Sequence, residues 1–254
     1  MKKKYLFFDI DGTLTTVNPG GIIPESTLNT IKKLEKNGHF VAIATGRAQH
    51  SSLTFANEVG INNIVSDGGH GLTLDGKLID IEPLNIDSAL EVIDIMLSNS
   101  IKTYVSIDNS NHLYTNICNS TLNHYSTIIS DPSFDFHKQK KIFKIFLEMT
   151  IEQEKQFKIL DTVSYVRYHP DSIIIEPDDK FKGITSMMNY LNAPLEDIVV
   201  FGDGKNDYSM FQKAPFSIAM GNAIDELKEI ASFVTKCSND DGIEYACKHF
   251  GWID

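Results

Sequence analysis

Two aspartates, Asp9 and Asp11, stand directly after the first apolar segment of the chain. Residues 5–8 are continuously apolar, which predicts a strand buried on both faces. In open parallel sheets, ligands bind beyond the carboxyl ends of the strands, so both carboxylates would lie where a site belongs. An ionised carboxylate there is costly unless a cation or hydrogen-bond donors compensate it. The pair therefore indicates a reactive or metal-binding site.

A turn is the simpler explanation for Asp11 and the glycine that follows it. The dipeptide Asp-Gly occurs five times in the chain, and it is common as turn punctuation. The prediction of chemistry at this point therefore depends on the second carboxylate, Asp9, two residues upstream at the end of an apolar strand.

A second acidic cluster follows residues 198–201, the other strongly apolar segment, and contains Asp203, Asn206 and Asp207. If the two strands are neighbours, Asp9 and this cluster converge, and that concentration of negative charge requires a cation. Oxygen ligands, with no histidine or cysteine in either motif, favour Mg²⁺ over zinc. Mg²⁺ commonly uses one or two carboxylates and shares a substrate phosphate. Helix capping is the alternative explanation for Asp207.

Short apolar segments alternate with helical patterns over residues 4–81, as expected of βαβ units that build a parallel sheet. Residues 40–44 and 64–65 predict further buried strands in this sheet. The apolar segments on either side of Asp75-Gly76 predict a β-hairpin, because this dipeptide favours the tight turns that join antiparallel strands.

The same alternation resumes after residue 180, while the intervening segment mixes helices with longer strands. Pro83 and Pro177 stand at the two crossings, where proline blocks helix continuation and stiffens the chain. The sequence therefore predicts an α/β protein with a divided core. Its parts are a Rossmann-like parallel-sheet core of residues 1–82 plus 178–254 and an inserted α/β domain of residues 83–177.

The inserted segment has its own predicted elements, which alternate in a way that indicates a separate sheet. They are helices at 88–99, 119–129 and 152–159 and strands near 101–107, 112–116, 142–149, 163–168 and 172–176.

Composition is that of a globular protein, since 42% of the 254 residues are hydrophobic and 22% are charged. With 34 acidic against 23 basic residues, the formal net charge of −11 argues against nucleic acid as a partner. Cys118, Cys237 and Cys247 have no paired spacing, which predicts a reducing compartment. The apolar segment near the start ends at Asp9, and no other segment approaches the length of a membrane span. We therefore expect a cytoplasmic protein without a membrane segment.

Four short motifs occur in a characteristic order along nearly the whole chain. They are Asp9 to Thr13, Thr45-Gly46-Arg47, Lys182-Gly183, and Gly202 to Asp207. In this order they resemble the signatures of the haloacid dehalogenase (HAD) superfamily, and Met220 to Ala223 and Asp241-Gly242 resemble its closing segments. The insertion resembles the type two cap, subclass IIB, of Cof-like small-molecule phosphatases. The resemblance implies a core that performs phosphoryl transfer and a cap domain that selects the substrate.

The resemblance also implies roles for the first two aspartates. Asp9 would attack phosphorus, and Asp11 would protonate the leaving oxygen and then deprotonate the hydrolytic water. A carboxylate nucleophile splits one difficult displacement into two easier ones through an acyl phosphate. An alkoxide is a poor leaving group, so a nearby proton donor typically accelerates its departure by about 100-fold to 10,000-fold.

The other motif positions receive roles from the same resemblance. Mg²⁺ would be held by Asp9, the backbone carbonyl of Asp11, Asp203 and Asp207. The substrate phosphate would be bound by Thr45, Gly46, Lys182 and Asn206. Arg47 would reach the substrate or the cap. Taken alone, Thr45, Lys182 and Arg47 could each be an ordinary strand-end or surface residue.

One segment departs from the family pattern. Relatives with this cap often carry Ser-Asn-Gly-Ala after the third strand, whereas this chain has Ser66-Asp67-Gly68-Gly69-His70. A carboxylate in place of the amide removes a hydrogen-bond donor and adds charge. The substrate preference of relatives therefore does not carry over at Asp67.

The predicted function is Mg²⁺-dependent hydrolysis of a small phosphorylated metabolite through an aspartyl phosphate on Asp9. Sugar phosphates, flavin mononucleotide and pyridoxal phosphate are the candidate substrates that the resemblance implies. A phosphohexose mutase would use the same paired aspartates and return the phosphoryl group to another hydroxyl. A non-catalytic module that is phosphorylated on Asp9 or merely binds a ligand is the alternative from another class. The oligomeric state stays open.

Overall fold

The computed structural model describes residues 2–16, 21–118 and 126–254. The chain divides into two compact units. The core unit comprises Met1–Ile81 and Asp179–Asp254, and the inserted unit comprises Glu82–Asp178. The chain passes from one unit to the other after Ile81 and after Asp178, and each position lies one residue from the domain boundary that the sequence predicts.

The strands alternate with the helices in the core unit and cluster together in the inserted unit. Among the residues described, the strands are β1 (Tyr5–Phe8), β2 (Phe40–Ala44), β3 (Ile64–Ser66), β4 (Gly71–Leu74), β5 (Lys77–Ile81), β6 (Thr103–Ser106), β7 (His112–Thr115), β8 (Thr127–Ser130), β9 (Lys144–Glu148), β10 (Tyr165–His169), β11 (Ser172–Ile175), β12 (Ile198–Gly202), β13 (Ser217–Ala219) and β14 (Phe233–Val234).

Most α-helices of the core unit follow its parallel strands, one begins where the chain returns from the inserted unit, and two helices belong to the inserted unit. In the described ranges they are α1 (Glu25–Lys36), α2 (Gln49–Val59), α3 (Ile86–Ser98), α4 (Ile151–Glu154), α5 (Lys180–Tyr190), α6 (Tyr208–Lys213), α7 (Asp225–Ile230) and α8 (Gly242–His249). None of them has the length and apolar character that crossing a bilayer requires.

The core sheet has eight strands in the order β14-β13-β12-β1-β2-β3-β4-β5. All of its strands from β14 to β3 are parallel, and β4 and β5 extend it in antiparallel fashion. β1 is central, and Phe8 pairs with Ile43 of β2 on one side and with Phe201 of β12 on the other. The carboxyl ends of these three strands therefore lie side by side, and the residues that follow them meet at one edge.

Both faces of the core sheet are covered, which explains why its central strands are apolar at every position. In β1, Leu6 and Phe8 belong to one buried cluster and Phe7 to another, because successive side chains of a strand point to opposite faces. The first cluster includes residues of α1, α2 and α8, and the second includes residues of α5, α6 and α7. This three-layer α/β arrangement confirms the predicted fold class of the core.

The hairpin predicted around Asp75-Gly76 is confirmed. Leu74 of β4 pairs with Lys77 of β5, and both turn residues have positive φ angles, 48° for Asp75 and 74° for Gly76. Positive φ at both central residues is the requirement of the type I′ turn, whose twist matches that of the strands.

The inserted unit contains a six-stranded sheet in the order β10-β11-β9-β6-β7-β8, antiparallel except between β7 and β8. One face packs against α3. The helix predicted at 119–129 falls partly on residues 119–125, outside the described residues, and is wrong beyond them, where the β-branched residues of β8 pair with β7. The helix predicted at 152–159 is a single turn, Ile151–Glu154, followed by a tighter turn at Lys158–Thr162.

Gly183 brings α5 into close contact with the core sheet. A Cβ atom at this position would lie 2.4 Å from Cγ1 of Val65 and 2.6 Å from the carbonyl oxygen of Gly69. Real Cβ atoms do not approach neighbours that closely, and the backbone of Gly69 cannot move aside as a flexible side chain could. The close packing of this helix therefore depends on a missing methyl group.

We expect Gly183→Ala to lower the thermal midpoint of unfolding. Helix propensity alone would favour alanine by about 1 kcal/mol and would raise the midpoint. A lower midpoint therefore reports the steric clash, since overpacking typically costs about 1–3 kcal/mol. Asn189→Ala is the matched control, because Asn189 is exposed on the same helix and its replacement should stabilise slightly. Differential scanning calorimetry measures both, and a higher midpoint for Gly183→Ala would contradict this account of the packing.

Candidate active site

Three carboxylates meet at the carboxyl edge of the core sheet. Asp9, Asp203 and Asp207 each offer an oxygen atom, and these atoms lie within 4.8 Å of one another. Asp9 is only 4% exposed and Asp207 is fully buried. The pairing of β1 with β12 causes this convergence, and the amide of Asp9 donates a hydrogen bond to the carbonyl of Phe201 at 3.0 Å. The predicted meeting of the first and fourth motifs is thus present in the structure.

The loop after β1 wraps closely around Asp203. Gly12 has a φ of +83°, and a Cβ atom there would lie 2.0 Å from Oδ2 of Asp203. Thr13 donates through Oγ1 to Oδ1 of Asp203 at 3.3 Å. Asn222 donates through Nδ2 to the carbonyl of Gly12 at 2.9 Å and to Oδ2 of Asp203 at 3.3 Å. These contacts fix the Asp203 carboxylate. The sequence does not predict this role for Asn222, and the only indication of it is that Asn222 lies in a closing motif of the family.

The lysine at the carboxylates is Lys180. Its Nζ donates to Oδ1 of Asp9 and to Oδ1 of Asp207, both at 2.6 Å, and the residue is 1% exposed. The prediction of Lys182 for this place is wrong, because Lys182 is exposed on α5 and its backbone amide bonds to the capping residue Asp179.

Helix periodicity explains the difference. Successive residues of an α-helix are separated by about 100°, so residues two apart point to very different sides. Lys180 is the first residue of α5 and precedes Gly183, Ile184 and Met187 by three, four and seven positions, which is the spacing of one buried face. This spacing could have indicated that Lys180 is the buried lysine, whereas the Lys-Gly motif indicates Lys182, which is exposed.

Asp207 holds Lys180 and the turn after β12. Its Oδ1 accepts from Lys180, and its Oδ2 accepts from the amides of Asp203 at 2.9 Å and Gly204 at 3.0 Å. Both oxygens are therefore engaged, so Asp207 is less available as a metal ligand than predicted. Asn206 is half-buried in the same turn, and its phosphate contact stays a prediction.

The second motif contributes a buried threonine and a half-exposed arginine. Thr45 directly follows β2, is 2% exposed, and accepts the amide of Arg47 through Oγ1 at 3.1 Å. The Arg47 side chain contacts Asp11: Nη2 donates to Oδ1 at 2.6 Å and Nε donates to Oδ2 at 3.1 Å. Arg47 thus faces a catalytic candidate, a contact that the sequence does not predict. The phosphate contacts of Thr45 and Gly46 stay predictions.

Asp67 is directed into the core unit. Its Oδ2 accepts from the amide of Gln49, at the start of α2, at 3.0 Å and from Oγ of Ser66 at 2.9 Å. The carboxylate is 6% exposed. The departure from the family pattern at this position therefore brings a negative charge to the amide at the start of α2, where such a charge is favourable.

Burial and mutual repulsion leave the acidic cluster short of positive charge. Burial, followed by the charge of Asp207, raises the pKa of Asp9 to about 8 against the opposing effect of Lys180. Burial and the charge of Asp207 also raise the pKa of Asp203 to about 7. For Lys180, burial alone would lower the pKa, but the charges of Asp207 and Asp9 raise it above its ordinary value. One ammonium group does not balance three carboxylates.

The donor set fits a hard divalent cation. Among the described residues, none donates a hydrogen bond to Oδ2 of Asp9, and the carboxylate of Asp203 accepts only two long contacts of 3.3 Å. Both groups present carboxylate oxygens, with no histidine or cysteine in the cluster. Mg²⁺ is held in this way, by one or two carboxylates with other positions left for water or phosphate.

The family model for haloacid dehalogenase-like hydrolases matches residues 6–246. The Bacillus subtilis protein "Putative phosphatase YkrA" is 32% identical to this chain, over all of both chains. The 5-amino-6-(5-phospho-D-ribitylamino)uracil phosphatase YitU of Bacillus subtilis is 29% identical over 98% of each. The solved structure of BT4131, described as a HAD subclass IIB sugar phosphatase, matches with a TM-score of 0.78 and 26% identity, covering 99% of this chain and 100% of its own.

We expect metal-free protein to lose stability as the pH rises. A folded-state pKa above the ordinary aspartate value of 3.8 means that the folded protein binds these protons more tightly than the unfolded chain does. The resulting stabilisation is complete at low pH and is lost as the pH rises to about 8. Calorimetry in chelator should give a thermal midpoint several degrees lower at about pH 8 than at about pH 6.

Asp203→Asn is the control, because it removes one of the two titrating groups. Its midpoint should depend less on pH than that of the wild type, and saturating Mg²⁺ should reduce the dependence of the wild type. Identical pH dependence in wild type and variant would contradict the assigned electrostatics.

Proposed function

Because the chain belongs to the haloacid dehalogenase-like hydrolase family, we propose that it hydrolyses a small phosphate monoester with Mg²⁺ through an aspartyl phosphate on Asp9. The observation that carries the proposal is the convergence of Asp9, Asp203 and Lys180 at one edge of the core sheet. A nucleophile, a cation-binding carboxylate and a fixed positive charge are the components that phosphoryl transfer requires.

Asp9 is suited to nucleophilic attack because its two oxygens differ. Oδ1 accepts from Lys180, and Oδ2 accepts from none of the described residues. The hydrogen bond from Lys180 to Oδ1 fixes the rotation of the carboxylate and so the direction in which Asp9 faces the phosphorus. A bond from a carboxylate oxygen of Asp9 to phosphorus forms as the bond from phosphorus to the ester oxygen breaks, and water later hydrolyses the acyl phosphate.

Mg²⁺ would be held by Asp9, Asp203 and the carbonyl of Asp11, and it would neutralise charge on the phosphoryl group. The residues themselves supply the remaining electrostatics. Lys180 offsets the negative charge that a phosphate brings toward Asp9, and Asp207 keeps the ammonium group in place. Thr45 and the amide of Gly46 are the proposed phosphate donors at the neighbouring strand end.

We propose that the substrate is a sugar or polyol phosphate. BT4131 is described as a sugar phosphatase, and YitU is named for a phosphate ester of a ribityl chain, which is a polyol. The inserted unit would act as the cap that selects among such esters. Asp11 would protonate the alkoxide that leaves, a step that esters of this class need because their leaving groups are poor.

Asp9→Asn should abolish phosphate release from a panel of sugar and polyol phosphates. Loss of the nucleophile should lower kcat/KM at least about 1,000-fold, and chelation of Mg²⁺ should have a comparable effect on the wild type. Inorganic phosphate released is the readout. Turnover by Asp9→Asn at the wild-type rate would disprove the nucleophile, and conversion of a sugar phosphate to its isomer without phosphate release would identify a mutase.

Lys180→Met and Lys182→Met form a matched pair on one helix. The first removes the ammonium group that faces Asp9 and should lower kcat/KM by about 100-fold to 1,000-fold. The second removes an exposed ammonium and should change kcat/KM by less than about 3-fold. Lys180→Arg, which keeps the charge in a larger group, separates loss of charge from loss of fold. A larger effect at position 182 than at position 180 would refute the assignment.

A further inference from the structure

Arg47 holds the carboxylate of Asp11 with both arms of its guanidinium group. Nη2 donates to Oδ1 at 2.6 Å and Nε donates to Oδ2 at 3.1 Å, a fork-to-fork arrangement that fixes the plane of the carboxylate as well as its position. Among the described residues, no other side chain donates a hydrogen bond to Asp11. Its orientation therefore depends on Arg47.

Arg47 is itself held firmly. Its guanidinium carbon lies 5.6 Å from the ring centroid of Phe55, within range of a cation–π contact. Its amide donates to Oγ1 of Thr45 at 3.1 Å, and its carbonyl accepts the amide of Asp67 at 2.9 Å. The carboxylate of Asp67 also accepts the amide of Gln49, so Asp67 restrains the segment that follows Arg47. Three elements of the core unit thus determine where the guanidinium group points.

Asp11 needs such restraint because its surroundings are open. It lies in the kinked loop after β1, next to Gly12, and its side chain is 22% exposed. A carboxylate in this position can rotate about its side-chain bonds, and misplacement by about 1 Å can cost about 100-fold in rate. The burial that fixes Asp9 and Asp207 does not restrain Asp11.

We propose that Arg47 is the positioning residue for Asp11 and thereby determines how well the enzyme cleaves esters with poor leaving groups. The inference rests on the proposed function, in which Asp11 donates the proton. The two hydrogen bonds from Arg47 hold the carboxyl group in one plane and position. As the bond from phosphorus to the ester oxygen breaks, the proton of the Asp11 carboxyl group passes to that oxygen, and Asp11 later takes a proton from the attacking water.

A dependence on the leaving group distinguishes this role from phosphate binding. An alkoxide needs a proton as it leaves, whereas 4-nitrophenolate is stable as an anion and needs little help. Loss of a phosphate contact would affect both kinds of ester alike. Loss of a correctly placed Asp11 would affect the alkyl ester far more.

The experiment compares kcat/KM for two substrates, 4-nitrophenyl phosphate and whichever sugar or polyol phosphate the wild type hydrolyses best. This parameter reports the steps up to phosphorylation of Asp9, in which the leaving group departs. The variants are Arg47→Met, Arg47→Lys, Asp11→Asn and the double variant Asp11→Asn/Arg47→Met, with thermal midpoints measured to confirm that each is folded. Arg47→Lys keeps a positive charge but loses the planar fork.

Arg47→Met should lose at least about 10 times more kcat/KM toward the alkyl phosphate than toward 4-nitrophenyl phosphate, and Asp11→Asn should show the same pattern. The double variant should lose no more than Asp11→Asn, because Arg47 acts through Asp11. Arg47→Lys should lie between Arg47→Met and the wild type.

Equal losses toward both esters, or additive losses in the double variant, would overturn this inference alone and make Arg47 a substrate ligand. Absence of phosphate release by the wild type from either ester would instead overturn the proposed function, and this inference with it.

Discussion

Negative charge concentrated at one edge of a sheet is the constraint that organises the core unit. Asp9 and Asp207 are buried beside each other and beside Asp203, where their mutual repulsion would destabilise the fold unless positive charge is supplied. Lys180 contributes one such charge at 2.6 Å from two of the carboxylates. A divalent cation supplies the rest in our account, and the same charges then act on the phosphate of the substrate.

The sheet makes this concentration of charge possible. Because β1 lies between β2 and β12 in parallel register, the chain leaves three adjacent strands at the same edge. The apolar side chains on both faces of β1 and β12 are buried, so the strands that lead to the carboxylates are shielded from water. Residues nearly 200 positions apart in sequence, such as Asp9 and Asp203, consequently become neighbours without a long connecting loop.

The sequence predicts the site residues that a local pattern identifies. It does not predict those whose role depends on the direction in which the side chain points. Carboxylates after two apolar strands indicate Asp9 and Asp203, since strands of this kind are central and parallel. The choice between Lys180 and Lys182 requires the starting residue of α5, which a two-residue motif does not contain. The fork between Arg47 and Asp11 joins residues of different elements, so no spacing in the sequence could reveal it. The strand Thr127–Ser130 contains β-branched residues and pairs with β7, and the local helical pattern predicted for 119–129 does not contain that pairing.

In the proposed function, a divalent cation binds between Asp9 and Asp203, with Lys180 and Asp207 beside it. The most direct measurement is the anomalous difference density of crystals of the full chain soaked with Mn²⁺, a scatterer that can replace Mg²⁺. We expect one strong peak in octahedral coordination, about 2.0–2.3 Å from oxygens of Asp9 and Asp203. A peak held by other residues, or a density map without a peak at the three carboxylates, would contradict it.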